Sequence, residues 1–303
     1  MRLVVPWVVV FVGIGGCASA DAQGLIAFAA GGSIYTVRPD GGELRQVVAG
    51  VRSDEHDWAS GPALSPDGGS VAFVRGYSIW SVDLHSGAET LLVKAGGDTP
   101  TGGASSFAVG AQTVAWSQDG GRLAYVLSRI GGSGQSELWV SDADGSDGRL
   151  LRESGAAWIF PTWVDDGHLA IVDAANEVTV LDLDGSPVDI VRVDRVPANS
   201  IAHRLGERWL TGSALSPGPI RVSTPGNGQV VVSGFAPALS PGGEEIGYLA
   251  GNELMAAPVD GTSAGRSIVD LGGLGGADRH FASGCSGAAC SYRPATLSWV
   301  VAD

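Results

Sequence analysis

Three histidines stand in surroundings that could do chemistry. His56 falls in Asp54-Glu55-His56-Asp57-Trp58, which sets carboxylates, an imidazole and an indole side by side. His280 falls in Ala277-Asp278-Arg279-His280-Phe281, and His203 lies in a weakly patterned stretch near residue 200. Neutral imidazole is the commonest metal ligand, and aromatic faces with a few polar groups make binding sites. Trp158, Phe160 and Arg195 occupy further connections of the same kind. If these segments converge, the candidate binding set is His56, Asp57, Trp58, Trp158, Phe160, Arg195, Arg279 and His280. Two chemistries fit such a set: non-catalytic recognition of a protein, peptide or glycan, or a metal-assisted lyase or hydrolase reaction. The same loops could instead cap a channel and bond neighbouring units. No residue earns a catalytic role, no metal site is assigned, and no cofactor is implied. Asp142, Asp144 and Asp147 lie in DADGSDG but lack the alternate spacing and distal Glu of a calcium loop, and Asp-Gly there reads as a hairpin turn.

The elements that must position these loops are written in a repeated phrase. It reads PALSPDGGSVAFV from Pro62, VAWSQDGGRLAYV from Val114, PTWVDDGHLAIV from Pro161 and PALSPGGEEIGYL from Pro237. Each copy is strand, polar turn, strand, with residues such as Pro66, Asp67 and Gly68 suited to a tight reversal. A second hairpin follows each copy, for instance ELWVSDADGSDGRLL from Glu137 and EVTVLDLDGSPVDIV from Glu177. Two hairpins make a four-stranded antiparallel sheet that cannot bury its faces alone, whereas several stacked radially can. Trp80 matches Trp139 and Trp116 matches Trp163 in repeat position, as expected for blade-to-blade packing. A degenerate unit fills the gap between Pro161 and Pro237, with weak inner strands at Ile201–Ser213 and an outer hairpin at Pro219–Val232.

The expected fold is therefore all-β: a six-bladed β-propeller of four-stranded antiparallel blades. The mature chain begins in mid-repeat at Leu25–Ala30, and the missing first strand is found at Pro294–Trp299. Pairing that C-terminal strand with the N-terminal strands closes the ring and removes two exposed edges. The first strands line the channel, so the connections that lead into them gather at one mouth.

The phrase S-P-D-G-x-x-hydrophobic-A-F/Y, followed by a hairpin reading V-x-D-x-D-G, resembles the repeat of TolB-type six-bladed propellers from about Leu25 to Trp299. The resemblance implies the fold. It does not carry a function, because this repeat serves transport accessories, binding modules and peptidase gating domains. The α/β domain that precedes the propeller in TolB is absent between the leader and Leu25. Histidines around a mouth are also similar to the His-rich centre of propeller-type pectate-fragment lyases, a seven-bladed design.

Leu3–Ile14 is an apolar run behind Arg2, too short to span a bilayer and suited to a signal peptide over residues 1–16. Ile14-Gly15-Gly16-Cys17 resembles a bacterial lipobox, with Ile in place of the usual Leu, and ordinary cleavage after Ala18-Ser19-Ala20 is the rival. The expectation is a lipid anchor on Cys17, a short tether over 17–24 and one propeller domain over 25–303. Cys285 and Cys290 are placed to form a disulfide in an oxidising compartment. A net charge of −14 argues against nucleic acid and against direct adhesion to anionic lipid. The reading is an exported, monomeric protein on the periplasmic or extracellular face of a bacterial membrane. Its partner would be a cell-envelope protein, peptide or glycan.

Overall fold

The computed structural model describes residues 24–50, 57–94, 109–129, 136–154, 160–173, 175–193, 196, 199–224, 227–276 and 296–301. Strands β1 (Gly24–Ala30), β2 (Ser33–Val37) and β3 (Arg45–Val48) form one sheet with the last strand of the chain, β23 (Ser298–Val301). Three sheets of four consecutive strands follow: β4 (Ala59–Leu64), β5 (Ser70–Arg75), β6 (Ser78–Asp83) and β7 (Glu89–Val93); β8 (Val109–Trp116), β9 (Arg122–Arg129), β10 (Ser136–Asp142) and β11 (Arg149–Ser154); β12 (Thr162–Asp165), β13 (His168–Val172), β14 (Val178–Asp182) and β15 (Pro187–Val191). The rest is a seven-stranded sheet of β16 (Ser200–Leu205), β17 (Arg208–Ser213), β18 (Gly218–Thr224), β19 (Asn227–Leu239), β20 (Glu245–Ala250), β21 (Glu253–Pro258) and β22 (Arg266–Asp270). The fold is all-β, a propeller-like ring of antiparallel sheets.

Separate four-stranded sheets were expected throughout, and the seven-stranded sheet departs from that. Its cause is β19, a single 13-residue strand. The first part of β19 pairs with β18 and its end pairs with β20, with the register broken between Phe235 and Ala238. No loop separates the two roles. A Cβ at Gly234 would stand 2.5 Å from the Tyr248 ring and 2.6 Å from the Leu249 carbonyl oxygen, so the glycine lets the strand pass directly from one neighbour to the other.

Burial follows from strand alternation. Every sheet contributes apolar faces to the gaps on both sides, and each gap holds its own core. Ile34 and Val48 meet Val71 and Phe73; Ala72 and Ile79 meet Leu123 and Tyr125; Leu138 and Val140 meet Leu169 and Ile171. Val178 and Val180 then meet Trp209, Leu210 and Ile220 meet Ile246 and Tyr248, and Phe235, Leu249 and Leu254 meet Ile26 and Phe28. The last of these cores joins the end of the chain to its beginning. Tyr125 and Trp139 stack with centroids 6.5 Å apart, which supports the packing role of that tryptophan position.

The turns repay close reading. Ser65, Ser117 and Ser240 accept the N–H groups of Ser70, Arg122 and Glu245 at 2.9, 2.8 and 3.0 Å. Asp67 and Asp119 accept the N–H groups of Gly69 and Gly121 at 2.9 and 2.8 Å. The Ser65 and Ser117 hydroxyls, followed by those amides, hold the two carboxyls below the usual range. The DADGSDG run behaves as a turn: Asp144 accepts the Ser146 N–H at 2.9 Å, and Gly145 has φ +84°. A Cβ on Gly145 would lie 2.1 Å from the Leu92 carbonyl oxygen of the preceding sheet, and one on Gly185 would lie 2.1 Å from that of Leu151. These glycines are set by close backbone approach as well as by φ.

The closing strand corrects one detail. It was expected at Pro294–Trp299 against Leu25–Ala30, with PATL echoing PALS. Instead Ser298–Val301 pairs with Ala27 back to Gly24, placing Trp299 opposite Ile26. The equivalent pairs are Leu64 with Val71, Trp116 with Leu123, Trp163 with Leu169, His203 with Leu210 and Leu239 with Ile246. Trp299 is thus the partner of Trp116 and Trp163, and the echo slips three residues. Its indole fixes the register: Cβ atoms built on Gly24 and Gly247 would come within 2.6 and 3.3 Å of it.

Candidate functional site

The first strands surround one central cavity. Residues of β4, β8, β12, β16, β19 and β23 line a channel of about 540 Å³. At the trailing ends of these strands it is lined by the turn residues Pro66, Gln118 and Pro241. At the leading ends Phe160 and Ile201 pack with Ala214 and Leu215.

The walls are held by ties from one first strand to the next. Leu64 donates its N–H to Ser298 Oγ at 2.9 Å. Trp116 donates its indole N–H to the Ala63 carbonyl, and Trp163 to the Ala115 carbonyl, both at 3.2 Å. Thr162 Oγ1 donates to the Ala202 carbonyl, and the His203 ring meets the Pro237 carbonyl at 3.1 Å through Nε2. Because a carbonyl only accepts, Nε2 carries the proton and Nδ1 is left as an acceptor. Between β19 and β23 the tie is different. Trp299 packs over Gly247, but its Nε1 is buried with no hydrogen-bond partner.

The electrostatics of the channel contrast with the charge of the chain. Among the described residues no Asp, Glu, Lys or Arg lines it, although the chain carries −14 overall. His203 is the one titratable group among the described lining residues. Burial, partly offset by the Pro237 carbonyl, pushes its pKa down to about 4, so the imidazole is neutral at neutral pH. Beyond the lining, Asp166 accepts the Asp119 N–H at 2.9 Å, and Gln118 donates to the Val164 carbonyl at 3.0 Å. The site is therefore an uncharged pocket with indole, hydroxyl, amide and imidazole groups on a rigid frame. Among the described residues no group of three His, Cys, Asp or Glu side chains could hold a metal ion.

Of the residues expected from the sequence, Asp57, Trp58 and Phe160 are described. Trp58 is 3% exposed and Phe160 2% exposed, so both rings are packed rather than presented. Phe160 lines the inner end of the channel; Asp57 is half-buried just ahead of β4. His56, Trp158, Arg195, Arg279 and His280 lie outside the described residues, as do Cys17, Cys285 and Cys290. Sequence reasoning placed Trp116 and Trp163 in packing alone and His203 near a connection, whereas all three also line the channel. Their shared position in the repeat was the available signal.

No family model matches the chain. Among solved structures, a chain of the nidogen/laminin complex is similar with a TM-score of 0.62 and 15% identity, over 91% of this chain and 98% of that one. A protein assigned as TolB from Agrobacterium tumefaciens gives 0.53 and 13%, over 82% and 89%. An oligogalacturonate lyase in complex with manganese gives 0.50 and 14%, over 84% and 76%. At such identities the likeness is one of fold, and it places the chain among β-propeller structures.

Proposed function

We propose that this chain is a six-bladed propeller in which β19 serves as the outer strand of one blade and the inner strand of the next. In this reading it is an exported binding protein of the bacterial cell envelope, held to the membrane by a lipid on Cys17. Its work is to seat an uncharged part of an envelope protein, peptide or glycan in the central channel. The observation that supports this most is that the described lining is free of charge in a chain of net charge −14. Burying a charged group without a partner is costly, so such a channel favours neutral, amphipathic groups and rejects charged ones. Indole faces, hydroxyls and a neutral imidazole suit peptide side chains and sugar rings alike.

The walls also suit binding better than turnover. A metal-assisted reaction needs convergent ligands. The histidine in the channel is committed through Nε2 to the Pro237 carbonyl. The test is capture from detergent-solubilised envelope with the mature chain as bait, repeated with Ala115→Phe, which fills the channel from one wall. Specific capture lost in the filled variant supports the reading; capture that survives with the fold intact assigns binding to another surface.

A further inference from the structure

The N-terminal strand leaves the ring beside the channel. Gly24 pairs with Val301, and Val301 lines the channel. These two residues also border a second groove, of about 730 Å³, that includes Arg38, Leu44, Arg45 and Leu84.

Two features set this groove apart. The first is charge: it carries Arg38 and Arg45 against Glu43 alone, whereas the next groove round the same face carries Asp40, Glu244, Glu245 and Asp260 against Arg208 and Arg266. The second is exposed apolar surface. Leu44 and Val301 are 43% and 47% exposed, and the other large hydrophobics exposed to this degree among the described residues stand on outer strands away from it. Arg38 pairs with Glu43 at 3.0 Å, but both side chains are largely in water, and an exposed pair of this kind gives way to a stronger anion at little cost. Residues 18–23 connect Cys17 to Gly24, a reach of roughly 25 Å at full extension.

We propose that this groove is a membrane-contact surface. Arg38 and Arg45 meet lipid headgroup phosphates while Leu44 and Val301 enter the interface beside the tether. Beside a lipid anchor, a basic and partly apolar patch adds attraction to anionic headgroups and fixes which face of the ring meets the bilayer. The rest of the face stays off an anionic surface because it is acidic. The trailing end of the channel, with Pro66, Pro241 and Val301 in its lining, then faces the bilayer. The inference rests on the anchoring through Cys17 proposed above.

The test uses the full chain in vesicles of phosphatidylethanolamine and phosphatidylglycerol, with a fluorescent amino acid placed at Leu44 or, as control, at Ile190 on the far side of the ring. Quenching by headgroup-labelled lipid is expected to be strong at position 44 and weak at 190. The R38Q/R45Q variant should remain on the vesicles and keep its melting temperature, yet lose contact at position 44 by about fivefold per arginine. Equal quenching at the two positions, or quenching at 44 that the double variant leaves unchanged, overturns the proposal. If mass spectrometry finds Cys17 unmodified, the anchoring reading has failed. The surface is then tested with a histidine tag ahead of Gly24 on nickel-bearing vesicles, where the same contrast is required and its absence overturns the proposal.

Discussion

The backbone N–H of Leu64 donates to the hydroxyl of Ser298 at 2.9 Å, across 234 positions of sequence. The bond joins the first sheet formed wholly from consecutive strands to the strand that ends the chain. It belongs to a circuit of side-chain-to-backbone ties that runs through Trp116, Trp163, Thr162 and His203. Each tie joins one channel-lining strand to the next, so the channel wall and the ring are one structure.

Truncation before Thr296 should therefore damage the whole ring. It removes β23, frees the edge of β1, and takes Trp299 away from Gly24 and Gly247. An open edge beside an exposed apolar face invites association. A clearly lower melting temperature, or aggregation by light scattering, is the expected result. A truncated chain as stable and monomeric as the parent contradicts closure by this strand.

The indole ties allow a sharper contrast. Trp116→Phe and Trp163→Phe each delete a donor to a carbonyl and should cost about 1 kcal/mol beyond the change in shape. Trp299→Phe deletes a buried N–H that has no partner, so beyond the same change in shape its loss should cost nothing or be slightly stabilising. Denaturant melts of the three variants give the comparison. Equal losses at all three positions would show that the hydrogen bonds contribute nothing separable.

Much of this was legible in the repeats. Val71-Ala72-Phe73 and Leu123-Ala124-Tyr125 announce second strands, because the apolar outer pair flanks a small residue that abuts the first strand. Asp-Gly turns announce the outer hairpins. The fused β19 was hidden because Gly234-Phe235-Ala236-Pro237 looks like a break, and Ala236 does take a positive φ of 53°, yet the strand continues through it while its partner changes. The register of the last strand was misread because the local echo of PALS weighed more than the indole pocket made by two glycines distant in sequence.

His203 gives a pH test with a definite sign. Its folded pKa of about 4 lies below the ordinary 6.5, so the unfolded chain takes up the proton first. Its contribution is complete above pH 6.5 and is lost as pH falls toward 4, by up to about 3 kcal/mol in total. His203→Leu should flatten the stability profile between those two pH values relative to the parent. Parallel profiles would place the imidazole in contact with bulk water.

Anchoring has its own check. The parent chain should partition into detergent phase, and Cys17→Ser should abolish both the partitioning and processing at that residue. A mature terminus at Asp21 or Gln23 without lipid contradicts the anchor and leaves the fold untouched.

The most direct measurement is the affinity of the captured envelope ligand for the parent and for Ala115→Phe, by calorimetry at matched fold and melting temperature. Binding should weaken by at least about 100-fold when the phenyl ring fills the channel, since an excluded ligand loses nearly all of its buried contact. Undiminished affinity in the filled channel would contradict the account.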